Sequence, residues 1–454
     1  QLATTYDYAL FLYHRFIEEK QSSAPEEAMI VALTKTMKAI ILSALTTIGG
    51  FYALTFGRLV IIKEMGWMLA RGVLICFLFV ILFLPAFLLT FDSKTRSRRF
   101  DLERWLARGA HGFGNVIARS AVWLVVLFLI LSPLSYLGQK HLVKSFARED
   151  YIPPHIGYVN VKKDYEAIFG DKDTIYLVFE KSADYVPALL RIEKLPGVKS
   201  VLHPSTLVDA RIPEEMVPRE IADKFYGTTY TMAMVSSIYS PADERDSQLK
   251  NTIWKEMNTV KGEKYVTGAS AITDDLKAVG TSDLDKTQRI ADIIVLVLLL
   301  IGFSSLSLPL LLVLVIQTAI WTNLAAYPMF SMAVSFIVPI VLNTIQLGST
   351  VDYSVLTTTR FEEELQKGNR NAIQDTITGC MPSIFVSAMT FILMALPTAI
   401  LSDIPALRQI MFALIRGAAI SAVIVIVFTT ALLTVLRKPI GWTSLGFKTR
   451  KETN

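Results

Sequence analysis

Charge is scarce in this chain. Lys, Arg, Asp and Glu make up 19% of its 454 residues, against 52% hydrophobic. A soluble protein of this length needs more charge to cover its surface, so the composition points to a polytopic membrane protein. Cysteine is almost absent: Cys76 and Cys380 both fall in apolar runs, which excludes a disulfide framework and leaves little for metal or thiol chemistry. The five histidines, His14, His111, His141, His155 and His203, are scattered without ligand spacing. There is no glycine-rich phosphate loop, so nucleotide is not expected to supply energy within this chain. No nucleophile–base–acid set can be assembled. The chain is therefore not expected to be an enzyme, to hold a cofactor or metal, or to bind nucleic acid. It opens at Gln1 without a signal peptide and already inside a motif, so its natural N-terminus is expected well upstream.

Long apolar runs are what the chain has. Spanning ~30 Å of hydrocarbon takes about 20 residues. Runs that qualify lie at 1–14 (truncated), 39–56, 72–91, 120–138, 290–306, 308–327, 334–359, 383–401 and 412–436, which makes nine. The runs on either side of Ser304–Pro309 are separated by a tight reversal and should form an antiparallel pair. Residues 92–119 carry seven Lys/Arg against three acids and the tail 437–454 five against one, so both are expected inside. Alternation then places the one long hydrophilic stretch, 139–289, outside. Strands are expected there at 173–180, 199–203, 230–239 and 263–269. Helices are expected at 182–195, 213–226 and 243–259, and from about 270 into the next span. That alternation suggests split βαβ units.

The oddity is an Asp-Tyr pair that occurs twice inside apolar runs. Gln1, Leu2, Thr5, Asp7, Tyr8, Arg15 and Phe16 recur in the same register as Gln346, Leu347, Thr350, Asp352, Tyr353, Arg360 and Phe361. Ser43 and Thr46 then align with Ser387 and Thr390, and "LARG" (69–72) with "LIRG" (414–417). The membrane body is thus expected to be two like halves, with function at their interface. Asp352 lies eight residues before Arg360, ~12 Å along a helix. An ionised carboxylate at that depth costs at least ~2.5–3.5 kcal/mol and must be paired, solvated or protonated. Burial raises an aspartate's pKa, so the pair suits proton transfer. Thr4 and Ser349 share a helical face with the aspartates, and Ala3 and Gly348 allow close helix approach. Ser43, Thr46, Ser387 and Thr390 are candidate hydroxyl donors to the carboxylates. The bland alternative is a locked structural carboxylate that never titrates.

"GSTVDYSVLTTTRFEEE" and "ATTYDYALFLYHRFIEEK" resemble the Gly-x-x-x-Asp-Tyr stretches of the fourth and tenth transmembrane helices of the resistance-nodulation-division superfamily, and most closely its MMPL branch. "LSALTTIGGFYAL" resembles the fifth helix of that family, and "YVTGASAITDDL" the end of its second porter domain. The resemblance covers essentially the whole chain, as helices four to twelve. It departs at Ala3, where the family has glycine, and at Thr36-Met37-Lys38 against Cys380-Met381-Pro382. What it implies is a proton-motive-force-driven exporter of a hydrophobic or amphipathic molecule, such as a lipid, glycolipid, surfactant or drug. Asp7, Tyr8, Asp352 and Tyr353 would be its proton relay. Other members of the superfamily are protein-export accessories or sterol- and lipid-sensing proteins; these are the alternative.

The expected architecture is a polytopic α-helical membrane protein of two pseudo-repeated halves with an extracytoplasmic α/β porter domain. Its parts are 1–91 (end of the first half), 92–119 (cytoplasmic amphipathic linker), 120–138 (one span), 139–289 (porter), 290–436 (second half) and 437–454 (basic tail). The setting is a bacterial inner membrane, and the partners are the bilayer and an amphipathic substrate. A homo-oligomer or an accessory protein is left open. Arg71 and Arg416 read as snorkelling residues, and Arg15 and Arg360 as topological anchors beside solvated "EE" runs.

Overall fold

The computed structural model describes residues 2–91, 102–146, 148–170, 172–207, 218–241, 243–369 and 371–444. It forms two compact units, Gln1–Ser145 with Gly280–Asn454, and Phe146–Val279. The helical unit begins with α1 (Leu2–Glu19) and α2 (Pro25–Ala53). Pro25 at the first helical position and Glu26 and Glu27 in the first turn suit a helix N-terminus, where an N–H is spare and negative charge is favoured. Next come α3 (Val60–Leu82), α4 (Leu84–Phe91) and α5 (Leu102–Lys140). The span expected at 72–91 is therefore displaced: α3 begins at Val60, taking in Lys63 and Glu64, and the chain breaks at Phe83. The boundary expected at 119/120 falls inside the continuous α5. Most of the amphipathic linker, including Phe100 and Trp105, lies outside the described residues or side chains.

After the short strand β1 (Lys144–Ser145) the chain enters the α/β unit. Its elements are α6 (Gly157–Phe169), β2 (Thr174–Glu180), α7 (Val186–Glu193), β3 (Val198–Leu202), α8 (Pro204–Leu207), α9 (Arg219–Phe225), β4 (Tyr230–Ser237), α10 (Glu244–Met257) and β5 (Lys264–Gly268). The sheet order is β3-β4-β2-β5 with every neighbouring pair antiparallel. Helices follow β2 and β4, so two βαβ units interleave, as the alternation predicts. Along β2, Ile175, Leu177 and Phe179 alternate inward onto Leu189, Ile192, Leu249, Ile253 and Met257 of α7 and α10. This period-2 burial is what a one-faced sheet requires.

One carboxylate sits awkwardly in that core. Asp173 is 2% exposed and accepts from the Ser270 hydroxyl. Burial pushes its carboxyl up, and Asp246 nearby adds to this, against the opposing Ser270 bond and Lys250 charge. A carboxyl raised in the folded state is most compatible with folding below the ordinary aspartate range, and its contribution is lost as pH rises through the folded value. Asp173→Asn is therefore expected to raise the thermal midpoint at neutral pH and to lose that advantage on acidification. Melting curves across pH check this, and a variant less stable than wild type at neutral pH would refute it.

The chain returns to the helical unit along α11 (Ala269–Phe303), turns at Ser304 (φ 46°) into α12 (Ser307–Met329), and pairs β6 (Val334–Ser335) in parallel with β1. There follow α13 (Ile337–Gln366), α14 (Ala372–Leu401) and α15 (Pro405–Ile424). A π-helical stretch, Val425–Thr429, leads into α16 (Thr430–Val435) and α17 (Arg437–Thr443). Asp283 of α11, fully buried, accepts from the backbone N–H groups of Arg58 (2.5 Å) and Leu59 (3.0 Å) and from Arg58 Nε (3.2 Å). It thereby caps the start of α3, which has no side-chain cap of its own. Six helices among the described residues are long and apolar enough to cross a membrane: Pro25–Phe56, Val60–Leu82, Gly109–Lys140, Ser307–Met329, Ala372–Leu401 and Pro405–Val435. The sequence also sends α1, α11 and α13 across, and these are not among the six. At the centre of the unit, α13 packs against α2, α12, α14 and α15 and is buried over most of its length.

Candidate functional site

The buried face of α13 is polar. Gln346, Ser349, Thr350, Asp352 and Tyr353 are all nearly inaccessible. Asp352 is 1% exposed; the Ser43 hydroxyl of α2 donates to its Oδ1, and Thr47 Oγ1 lies 3.4 Å from the same oxygen. Ser43 lies on α2 and Asp352 on α13, so the carboxyl is held between two helices far apart in sequence. Hydroxyl partners suit either protonation state, because they donate to a carboxylate and their oxygens accept from a carboxylic acid. Tyr353 Oη is 3.0 Å from Ser387 Oγ of α14. Tyr8 is fully buried beside Leu12, Phe16 and Phe51. The backbone of Ala3, Thr4 and Asp7 lies in α1, and their side chains are outside the described residues.

Two of the expected hydroxyl donors bond back along their own helices, Thr46 to Leu42 O and Ser43 O and Thr390 to Val386 O. Ser349, which shares the face of Asp352, likewise bonds to Gln346 O. Hydroxyls inside helices commonly satisfy themselves on the preceding turn. Thr47, not anticipated, faces Asp352 instead. Gly348 gives α13 its close approach: a Cβ there would sit 2.9 Å from Thr47 Cγ2. Gly348→Val is expected to cost ~1–3 kcal/mol by overpacking and to displace Thr47 from Asp352. Thermal melts measure this, and a wild-type midpoint would show that the contact is slack.

A second network runs along α13 away from Asp352. Arg416 of α15 donates from Nε to Asn323 Oδ1 (2.6 Å) and from an Nη to Asn323 O (3.0 Å), and its guanidinium lies over the Tyr327 ring at 4.6 Å. Asn323 Nδ2 donates to Gln346 Oε1 (2.8 Å) and Ala413 O (2.9 Å). Gln346 Nε2 reaches Ser421 Oγ at 3.1 Å, and Ser421 is 2.7 Å from Thr350 Oγ1. A side chain at Gly417 would collide with the two amides at 2.7–2.8 Å, so glycine lets them meet. Arg416 is thus bonded inward rather than snorkelling, while its repeat counterpart Arg71 is exposed.

At the other end of α13, Arg15 bridges Glu363 (3.3 Å) and Arg360 bridges Glu18 (2.9 Å). The repeat equates Arg15 with Arg360 and Glu18 with Glu363, so the halves exchange ion pairs reciprocally. Each arginine also pairs along its own helix, Arg15 with Glu18 and Glu19, Arg360 with Glu363 and Glu364. The expectation of simple anchors beside solvated acids is corrected: Arg15 is 8% exposed and the group ties α1 to α13. Burial pushes the Glu18 carboxyl up, but the Arg360 hydrogen bond and the Arg360 and Arg15 charges outweigh it and hold it below the usual range. Between this ring and Asp352 lies a cavity of about 220 Å³ among α1, α2, α13 and α14.

A model of the MMPL family matches residues 1–130 and 233–453. The putative membrane protein ActII-3 of Streptomyces coelicolor is 25% identical over 391 residues, 80% of this chain and 50% of that protein. The sulfolipid-1 exporter MmpL8 of Mycobacterium tuberculosis is 29% identical over 217 residues, 43% of this chain and 19% of that one. This chain therefore spans half of the first relative, and its match covers about a fifth of the second. Among solved structures, the hedgehog release protein Disp from the water bear Hypsibius dujardini matches with a TM-score of 0.72 at 14% identity. The match covers 96% of this chain and 62% of Disp, and the likeness is one of fold.

Proposed function

This chain belongs to the MMPL family, and from that premise we propose that it forms part of a proton-driven exporter of an amphipathic molecule. One observation carries the reading. Asp352 is a buried carboxyl held between α2 and α13 by hydroxyls that serve both of its protonation states. A carboxyl so placed can take a proton without losing its hydrogen bonds. The exchange of charge for neutrality changes what the interface between α2 and α13 costs to bury. Proton entry at Asp352, and at Asp7 by repeat equivalence, would then bias one half against the other, with Tyr8 and Tyr353 completing the relay. Each proton descending 100 mV supplies ~2.3 kcal/mol, enough for a modest uphill step.

In this reading the membrane is a bacterial inner membrane, residues 139–289 form an outward-facing porter domain, and 92–119 and 437–454 lie inside. The cargo is a lipid or glycolipid. A relative named as a sulfolipid exporter supports that class. The test is movement of a labelled phospholipid by the full-length protein in proteoliposomes under an imposed pH gradient, compared with Asp7→Asn and Asp352→Asn. Loss of movement in a folded variant supports the proposal. Undiminished movement in both variants refutes it.

A further inference from the structure

The cavity between Asp352 and the ion ring begins one helical turn from the relay on each of its four helices. Phe11 follows Asp7 by four residues and Leu356 follows Asp352 by four, while Ile40 precedes Ser43 by three and Ser383 precedes Ser387 by four; all four line the cavity. A helical turn is ~5.4 Å, a distance that one or two waters bridge. The far wall is made by Arg15, Glu18, Arg360 and Glu363. Inside, His14 of α1 is 2.6 Å from Ser383 Oγ through Nδ1. The repeat counterpart of His14 is Thr359, which also lines the cavity. The imidazole is thus a feature of one of the two repeated segments only. The space of about 220 Å³ is lined by Phe11, Ile40 and Leu356 as well as by hydroxyl and charged groups, and it is large enough for several waters along its polar side.

We infer that this cavity is a second proton-holding station, that His14 is its titrating group, and that the Arg15–Glu363 and Arg360–Glu18 pairs close it on the side away from Asp352. The inference rests on the proton-driven reading above and deepens it. A proton reaching one ring nitrogen through water gives imidazolium. Loss of a proton from the other nitrogen restores a neutral ring in its other tautomer, so the histidine passes a proton with no net change of charge and is reset when the ring turns over. The groups facing it set its balance. Arg15 and Glu18 come from its own helix, Lys35 from α2, Arg360 and Glu363 from α13, and the Cys380 thiol from α14. Tyr13 is a neighbouring ring at 5.9 Å.

The experiment follows the Asp352 proton directly and needs no cargo. Full-length protein is inserted into vesicles with residues 437–454 inward, protons are released from a trapped photolabile acid, and the carboxyl infrared band that vanishes in Asp352→Asn is timed. In His14→Gln, which keeps a polar partner for Ser383 but carries no titrating proton, the band is expected to rise at least about tenfold more slowly, at the low end of what a positioned acid–base group contributes. Imidazole added to His14→Gly is expected to restore the rate, which a merely structural histidine would not allow. An unchanged rate in His14→Gln, or a slow His14→Gly that imidazole leaves slow, overturns the station while leaving the exporter reading intact. Absence of any Asp352-dependent band overturns the exporter reading itself. Should His14→Gln not fold, the His14→Gly pair decides.

Discussion

Asp352→Asn is expected to abolish proton-coupled transport while leaving the protein folded. The asparagine fills nearly the same volume and can still accept from Ser43 and lie near Thr47, so the packing of α2 on α13 survives. What it cannot do is bind and release a proton. A positioned acid–base group contributes on the order of 10²–10⁴-fold to a proton transfer, and a carrier with no substitute in its path should cost at least the upper part of that range. Stability is expected to hold or rise, because a neutral amide avoids the cost of burying a carboxylate. The two measurements together separate the carrier from the locked structural partner. A structural carboxylate would give the reverse pattern, with a lowered melting temperature and transport that falls only as far as the folded fraction falls.

Asn323→Ala is expected to be the most destabilising single change in the helical unit. Asn323 is fully buried and joins three elements: it accepts from Arg416 Nε and donates to Gln346 Oε1 and Ala413 O. Truncation leaves the arginine with its bond to the Asn323 backbone alone and strips Gln346 and Ala413 of a donor. Bonds to charged groups contribute ~1.5–3 kcal/mol, and a stranded buried polar atom costs ~1–3 kcal/mol. A loss on the order of 3–5 kcal/mol follows, read as a large drop in thermal midpoint. Arg416→Ala should cost less, since it removes the charge along with its partner's bond. If the two variants melt alike within error, the network is not the mutual support described here.

Much of this arrangement could be read from residue order. The Asp-Tyr repeat led to Asp352 and Tyr353. The period-2 alternation along 173–180 and 230–239 led to the central strands of the α/β sheet. The tight reversal at Ser304 and the helix running from about 270 into the next span were equally visible, because turn residues and long uninterrupted periodicity are local signals. Contacts between distant segments were not. Ser43 and Thr46 looked equivalent as donors, and only the rotation of α2 shows that Thr47 faces Asp352 while Thr46 bonds its own helix. Arg416 read as a snorkelling residue because its position near a span end is compatible with that role; its partner Asn323 lies on another helix. The reciprocal pairing of Arg15 with Glu363 and Arg360 with Glu18 has a sequence signal of its own. The sequence repeat that equates the aspartates equates these four residues as well, and opposite charges related in that way are natural partners. The start of α3 at Val60 was hidden by Lys63 and Glu64, which interrupt the apolar run, and by a cap supplied from Asp283 far along the chain.

Acidification should act on the ion ring in a defined sense. A carboxyl held below its usual range, as Glu18 is by Arg360 and Arg15, contributes stability above the ordinary glutamate value of ~4.3, and that stability is lost as pH falls through the folded value. The tie between α1 and α13 is accordingly expected to weaken only in distinctly acidic solution.

The central claim is that Asp352 binds and releases a proton in the folded protein, and infrared difference spectroscopy of the reconstituted full-length protein tests it most directly. As the solution is taken from alkaline to acidic, a protonated-carboxyl band should grow in the wild type and be missing from Asp352→Asn, with the remaining bands unchanged. A spectrum in which Asp352 contributes no titrating band, in a variant and wild type that are both folded, would mean that the carboxyl is a fixed hydrogen-bond partner and that the protein is not driven through it.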